Sequence, residues 1–278
     1  MSDSRELVRF GLVTDVHHRT RGQDLRAYMR VFVKDMNRNF RPDFVIELGD
    51  FYGGSGTSRE DLREINDVFR LCNAPVYYVL GNVDSWSDGG KEGFMETVGI
   101  DYTRLSFDVK GFHFVILDGA WISDDVPISP EHHGDERRPP LCLRLVEGEM
   151  FLEEGDPIGH VGHIPSRDIE WLREDLASTR KKVIVFCHYP VCVGPRWARL
   201  DNEAELVKVL EESGKVIAVF AGHYPECYYR RRNGINYFIM KGMGQNCSRF
   251  GSYAKVTVTE SELIVMGEVE QVSYNIKL

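Results

Sequence analysis

Apolar residues in this chain gather into short unbroken runs, and helical spacing alternates with them. Leu12-Val13-Thr14, Phe44–Leu48, Val76–Leu80, Val183–Cys187 and Val216–Phe220 are such runs. Continuous β-branched and aromatic stretches of this length predict strands covered on both faces, as in a layered α/β sheet. Between the runs the period changes. From about Asp24 to Asn39 the apolar positions Leu25, Tyr28, Met29, Phe32, Val33 and Met36 mark one face of a helix. Thr57 or Ser58 can cap a second helix through Leu62, Ile65, Val68, Phe69 and Leu71. Ser166 can cap a third, with Ile169, Trp171, Leu172 and Leu176, and Glu203 to Leu210 reads as a fourth. Phe112–Leu117 and Ile235–Met240 are further strands, and 254–259 with 262–266 reads as a closing hairpin.

The strand–helix alternation predicts a sheet core with helices on its faces, and the strand-rich end predicts a second sheet packed on the first. Between Gly119 and Pro165 the rhythm fails. That stretch is read either as a functional lid or as a solvated excursion. The chain of 278 residues suits one large α/β domain or two small ones, and 42% hydrophobic residues support a real core.

Each of the five runs ends in a residue able to hold a metal. In order these are Asp15 with His17, Asp50 after Gly49, Asn82 after Gly81, His188, and His223 after Gly222. Strand carboxyl ends converge on one crevice in such folds. A mixed set of carboxylate, imidazole and amide groups suits divalent transition metals. Taken singly, each has a plain structural role as a turn, cap or buried histidine; the shared placement is what argues for a site.

The formal charge of −9 disfavours nucleic-acid binding driven by overall charge. No apolar stretch is long enough to span a membrane, and the polar start lacks a secretory signal's apolar region. None of the six cysteines forms a C-x-x-C pair, so reduced thiols in a cytoplasmic protein are expected.

Asp15-Val16-His17, Gly49-Asp50, Gly81-Asn82-Val83-Asp84, His188 and Gly222-His223 stand in an order that resembles the calcineurin-like metallophosphoesterase superfamily, whose blocks run D-x-H, G-D, G-N-H-(D/E), a lone H and G-H-x-H. The likeness extends over about residues 7 to 245. It implies a single domain over 1–278 in a four-layer αββα sandwich, two packed mixed sheets flanked by helices, with the 119–165 insertion as a lid. It also implies two divalent ions, Mn, Fe or Zn. Asp15 and His17 would bind the first, Asp50 would bridge, and Asn82, His188 and His223 would complete the second. Asp50, Asn82 and Asp84 would form the catalytic group. Two cations about 3.5–4 Å apart can activate a bridging water and stabilise both attacking and leaving oxygens. A small phosphodiester, nucleotide or pyrophosphate is the expected substrate.

Two positions depart from the pattern. Val83 stands where the family places a histidine that donates a proton or stabilises the transition state, and losing a general acid costs about 10²–10⁴ in rate. Pro225 stands where the last histidine would bind the first metal. The alternative is therefore a binding or regulatory module that kept the fold and lost turnover. His18 should point away from the site, His113 should be structural, and one of His132, His133, His160 or His163 could fold over the crevice. Glu226 could reach inward or stay a solvated turn residue. Arg230-Arg231-Arg232 could meet phosphate or form an exposed hairpin tip, and Tyr224 and Trp86 could line a pocket or pack.

Overall fold

The computed structural model describes residues 7–19, 22–53, 57–86, 88–129, 161–244 and 249–278, with the backbone of 144–146 and 149–151. Its first half runs β1 (Val8–Val13), α1 (Arg26–Asp35), β2 (Phe44–Glu47), α2 (Arg59–Phe69), β3 (Val76–Tyr78), α3 (Asn82–Trp86), α4 (Gly90–Val98), β4 (Leu105–Val109) and β5 (Phe112–Leu117). Short pieces follow: β6 (Trp121–Ser123), β7 (Val126–Pro127), β8 (Arg144–Val146) and β9 (Glu149–Phe151). The second half runs α5 (Ser166–Ser178), β10 (Lys182–Cys187), α6 (Glu203–Ser213), β11 (Val216–Ala221), β12 (Tyr228–Arg232), β13 (Ile235–Ile239), β14 (Tyr253–Val258), β15 (Glu262–Glu268) and β16 (Tyr274–Lys277).

Two six-stranded mixed sheets form, ordered β16-β15-β14-β1-β2-β3 and β12-β13-β11-β10-β5-β4. β1, β2 and β3 run parallel, as do β5, β10, β11 and β13, so their carboxyl ends lie on one side of each sheet. Side chains alternate along each strand. Phe10, Phe44, Phe114, Phe186, Phe220 and Phe238 therefore meet between the sheets. Their ring centroids lie 5.2 Å apart for Phe10–Phe44, 4.8 Å for Phe44–Phe114 and 4.8 Å for Phe220–Phe238. The opposite faces take the helices. Met29, Phe32, Leu62, Ile65 and Phe94 cover the first sheet, and Ile169, Leu172, Leu206 and Leu210 cover the second. The result is the αββα sandwich that the resemblance implies, but the carboxyl-terminal strands β14–β16 extend the sheet of β1, and the second sheet is built from β4, β5 and β10–β13. Cys187 sits in the helix-side core, and Cys72, Cys187, Cys192 and Cys227 are unpaired.

Departures from the expected elements have local causes. The first helix starts at Arg26, after Asp24 accepts the Arg26 N–H, and closes in a π-helical turn at Met36–Phe40 with Arg41 left-handed. Ser58 does cap α2, in a reciprocal box with Asp61. Ser166 does not cap α5; it is the first helical residue. Asp124 takes the capping role from outside the helix, accepting the Ser166 N–H at 2.8 Å and its hydroxyl at 3.0 Å. α4 carries glycines at 89, 90, 93 and 99 that blur helical spacing, so the sequence pattern gives no helix there. Arg230–Arg232 lie in β12, an exposed edge strand paired to β13, rather than at a hairpin tip. In the 119–165 insertion, β6 and β7 form a small hairpin and Ala120 bridges to His163. His132, His133 and His160 lie outside the described residues.

Candidate metal centre

Loops after β1 and β2 zip together before any side chain is considered. Asp15 N–H donates to Gly49 O at 3.0 Å, His17 N–H to Asp50 O at 3.0 Å, and His18 N–H to Phe51 O at 3.3 Å. Thr14 O and Asp15 O accept from Met243 and Gly244, and Gly222 N–H donates to His188 O at 2.9 Å. The strand ends of both sheets are thus stitched into one floor. Asp15, His17, Asp50 and His223 all hold left-handed φ, at 48°, 48°, 58° and 65°. Such conformations cost about 1–3 kcal/mol each in a non-glycine residue and persist where the surroundings dictate them. Clustering of four at one crevice marks a site where side-chain direction outweighs backbone comfort.

Glycines make the close approach possible. A Cβ on Gly49, itself at φ 100°, would lie 2.5 Å from His188 Nδ1. One on Gly81 would collide with the Asp50 carboxylate and backbone.

Asp15, Asp50 and His188 are aimed by partners on their far sides. Asp15 Oδ2 accepts the Thr14 hydroxyl at 2.7 Å and the His223 N–H at 3.0 Å. Asp50 Oδ1 accepts the Val83 N–H at 2.8 Å. His188 Nδ1 lies 2.8 Å from Leu48 O, which fixes Nδ1 as the protonated nitrogen and turns Nε2 inward. Tyr189, fully buried, packs its ring 4.6 Å from that of His223. The inward atoms then face one another. His17 Nε2 is 3.7 Å from Asp15 Oδ1 and 3.6 Å from Asp50 Oδ2, and His188 Nε2 is 3.3 Å from Asp50 Oδ2 and 3.2 Å from His223 Nδ1.

Asp15 Oδ1, His17 Nε2 and Asn82 Oδ1 are buried without a hydrogen-bond partner among the described residues. Buried polar atoms left so are costly, at about 1–3 kcal/mol each. Two triads of ligand atoms arise, Asp15–His17–Asp50 and Asp50–His188–His223, with Asp50 common to both. This donor set fits two divalent cations sharing one carboxylate. Electrostatics agree. Burial raises the Asp50 carboxyl, but the imidazoles of His188, His17 and His223 outweigh it and hold the group low. Burial lowers His188, yet the Asp50 charge leaves it raised, at about 9. Protons on the imidazoles thus balance the carboxylates, a duty that cations assume when they bind and release those protons.

Five of the six residues expected at the site, Asp15, His17, Asp50, His188 and His223, meet in these triads, and Asn82 precedes Val83, whose N–H binds Asp50. Asp84 stands behind them: its carboxylate accepts the N–H groups of Asp50 at 2.8 Å, Phe51 at 2.9 Å and Gly81 at 3.0 Å. It holds the loops and does not face the crevice. Asn82 opens α3, and its amide oxygen is buried without a hydrogen-bond partner among the described residues. Val83, 7% exposed, gives its backbone N–H to Asp50 and has an apolar side chain. Glu226 is turned to Lys241 at 3.5 Å. His18 accepts the Leu25 N–H, His113 lies between Asp108 and Asp175, and His163 bonds Asp124 and Asp201, so none of the three enters the crevice. Thr14 and Glu47 were not singled out from sequence. Glu47, wholly buried, accepts the Gly49 N–H, and burial followed by the Asp84 charge pushes its carboxyl well up. A polar residue inside an apolar strand was the available signal.

A dimetal phosphatase from Danio rerio superposes with a TM-score of 0.74 at 18% identity, over 97% of this chain and 98% of that one. The anchor protein of the Plasmodium inner membrane complex superposes at 0.57 and 15% identity, over 98% and 88%. A Thermus thermophilus protein does so at 0.56 and 11% identity, over 91% and 99%. At these identities the likeness establishes the fold. No curated protein matches by sequence. The family model for calcineurin-like phosphoesterases matches residues 8–227, a span that takes in all six candidate ligand residues, and so the chain belongs to that family.

Proposed function

We propose that the protein is a metal-dependent phosphoesterase acting on a small phosphodiester, nucleotide or pyrophosphate. The observation that carries this reading is the pair of buried ligand triads sharing Asp50, with inward atoms lacking partners among the described residues. In it, Asp15, His17 and Asp50 hold one divalent ion, and Asp50, Asn82, His188 and His223 hold the other, with Mn, Fe or Zn the fitting metals. When bound, such a pair supplies Lewis acidity toward phosphoryl oxygens and a water activated at neutral pH. The chain's own residues do the rest. Thr14 and the His223 N–H orient Asp15, the Val83 N–H orients Asp50, and Leu48 O fixes the His188 tautomer. Asp84 acts as a positioning residue through the three N–H groups it receives. With Val83 in place of the histidine of the Gly81–Asp84 block, leaving-group protonation has no side-chain donor there, which favours substrates whose leaving group is already acidic, such as pyrophosphates. A reducing, cytoplasmic setting is part of the same proposal.

The test is a panel of phosphomonoesters, phosphodiesters and pyrophosphates with Mn²⁺, run on wild type and Asp50→Asn. Turnover of at least one class that the substitution abolishes supports the proposal. No turnover on the panel, with no change in Asp50→Asn, sinks it. Val83 and Pro225 favour a second reading, a phosphate-binding module without turnover. That reading expects one metal or none by elemental analysis, with calorimetric nucleotide binding and no hydrolysis.

A further inference from the structure

β12 is an edge strand whose residues divide cleanly between two faces. Tyr229 packs on Phe238 and Tyr274, and Arg231 reaches the carbonyl of Lys277, all on one face. Tyr228, Arg230 and Arg232 take the other face, toward α6 and the loop that leaves His188. Tyr228 lies beside Tyr224, the residue after His223, and Tyr224 packs against Trp197. From the metal-centre end, this face therefore runs from an aromatic group to two guanidinium groups. Strand rise places Arg230 about 7 Å beyond Tyr228 and Arg232 about 13 Å beyond it.

There the face meets a pocket of about 160 Å³ lined by Cys192, Arg199, Glu203, Val207, Arg230 and Arg232, among others. That is several times the ~30 Å³ of one water. The carboxylates nearby are already engaged. Glu203 binds the Arg199 guanidinium at 2.9 Å and accepts the Cys192 N–H at 3.0 Å, and Glu211 meets Arg232 Nε at 3.0 Å. Arg230 has no carboxylate partner among the described residues and donates to the Cys192 carbonyl at 3.3 Å. Two carboxylates against three guanidiniums leave this pocket cationic in a chain whose overall charge is −9. Guanidinium forks match the oxygens of a phosphoryl group.

The geometry points to an anion subsite for a phosphoryl group in the pocket where Arg199, Arg230 and Arg232 converge. The group can be the distal phosphate of an elongated substrate or free inorganic phosphate, and the two are separable. Calorimetry with inorganic phosphate on the full-length protein gives one equivalent more for wild type than for Arg230→Gln. Arg231→Gln, which alters the opposite face of the same strand, keeps the wild-type count. Equal stoichiometry and affinity in wild type and Arg230→Gln, or the same loss in Arg231→Gln, overturns the subsite. Tungstate soaked into crystals locates the anion independently. A peak among the three guanidiniums supports the proposal, and tungstate confined to other places overturns it. These measurements do not depend on the phosphoesterase reading. The kinetic arm does rest on it: if the anion belongs to the substrate, Arg230→Gln raises KM about tenfold for a substrate with two separated phosphates and leaves a one-phosphate substrate unchanged. If it is free phosphate, both KM values stay put and the calorimetric difference remains.

Discussion

Histidine and aspartate meet at both ends of the second sheet, with opposite results. At the amino-terminal end, His113 places both ring nitrogens 2.8 Å from carboxylates, Nδ1 on Asp108 and Nε2 on Asp175. Ser106 and Lys181 then take up further oxygens of those carboxylates. Every group has an answer within the protein. At the carboxyl-terminal end, His17 and His188 approach Asp15 and Asp50 at 3.3–3.7 Å, His223 lies 3.2 Å from His188, and three buried atoms go unanswered among the described residues. Residue type does not distinguish the two clusters. Strained backbone and missing partners do, because they raise the energy of a folded chain for no structural return.

The sharpest break of that contrast is Asp50→Asn, which removes the shared carboxylate. We expect turnover to fall by about 10²–10³ or more and metal content to drop, read by steady-state kinetics and elemental analysis. A chelator should lower the melting temperature of wild type and leave Asp50→Asn nearly unmoved; an equal shift in both would show that the cations bind elsewhere. Asp84→Asn keeps the shape of the clamp but loses acceptor capacity, and metal affinity or activity should drop by roughly 10–100-fold. His113→Ala tests the other end. Stability should fall by about 2–3 kcal/mol in urea melts while turnover per folded molecule holds. A loss of turnover there would erase the distinction. Pro225→His restores the histidine that the resemblance places on the first metal and should tighten one metal-binding step roughly tenfold by calorimetry. The smallest effect concerns His163, whose pKa is raised: burial lowers it, and the bonds to Asp124 and Asp201 more than reverse this. The tie is complete below the unfolded-state value of about 6.5 and is lost as pH rises through the folded value. Amide exchange in 119–129, corrected for intrinsic rate, should quicken as pH climbs from mildly acidic to mildly alkaline.

Much of this was legible because buried parallel strands spell themselves as apolar runs, and their ends fall on the crevice by topology. Asp15, His17, Asp50, His188 and His223, which the structure groups in two triads, end such runs. What failed to show was context supplied by distant residues. Ser166 spells a cap, yet Asp124 does the capping from 42 positions away. α4 is held by tertiary contacts, among them the buried pair of Lys91 and Asp118, and its glycines hide the period. β12 is exposed along its whole length, so its charges resembled a tip. Asp84 reads as a member of the catalytic group because it closes the Gly81–Asp84 motif, and only its three backbone partners reveal a clamp.

That clamp sets the order of events at the crevice. One carboxylate already gathers the loops behind β2 and β3 using main-chain donors alone, so the cradle stands before any ion arrives. Capture then needs little folding of its own, and the entropy of arranging the donors has been met during chain collapse. An apoprotein of this design should keep its shape in storage and recover on simple addition of metal, without a refolding step.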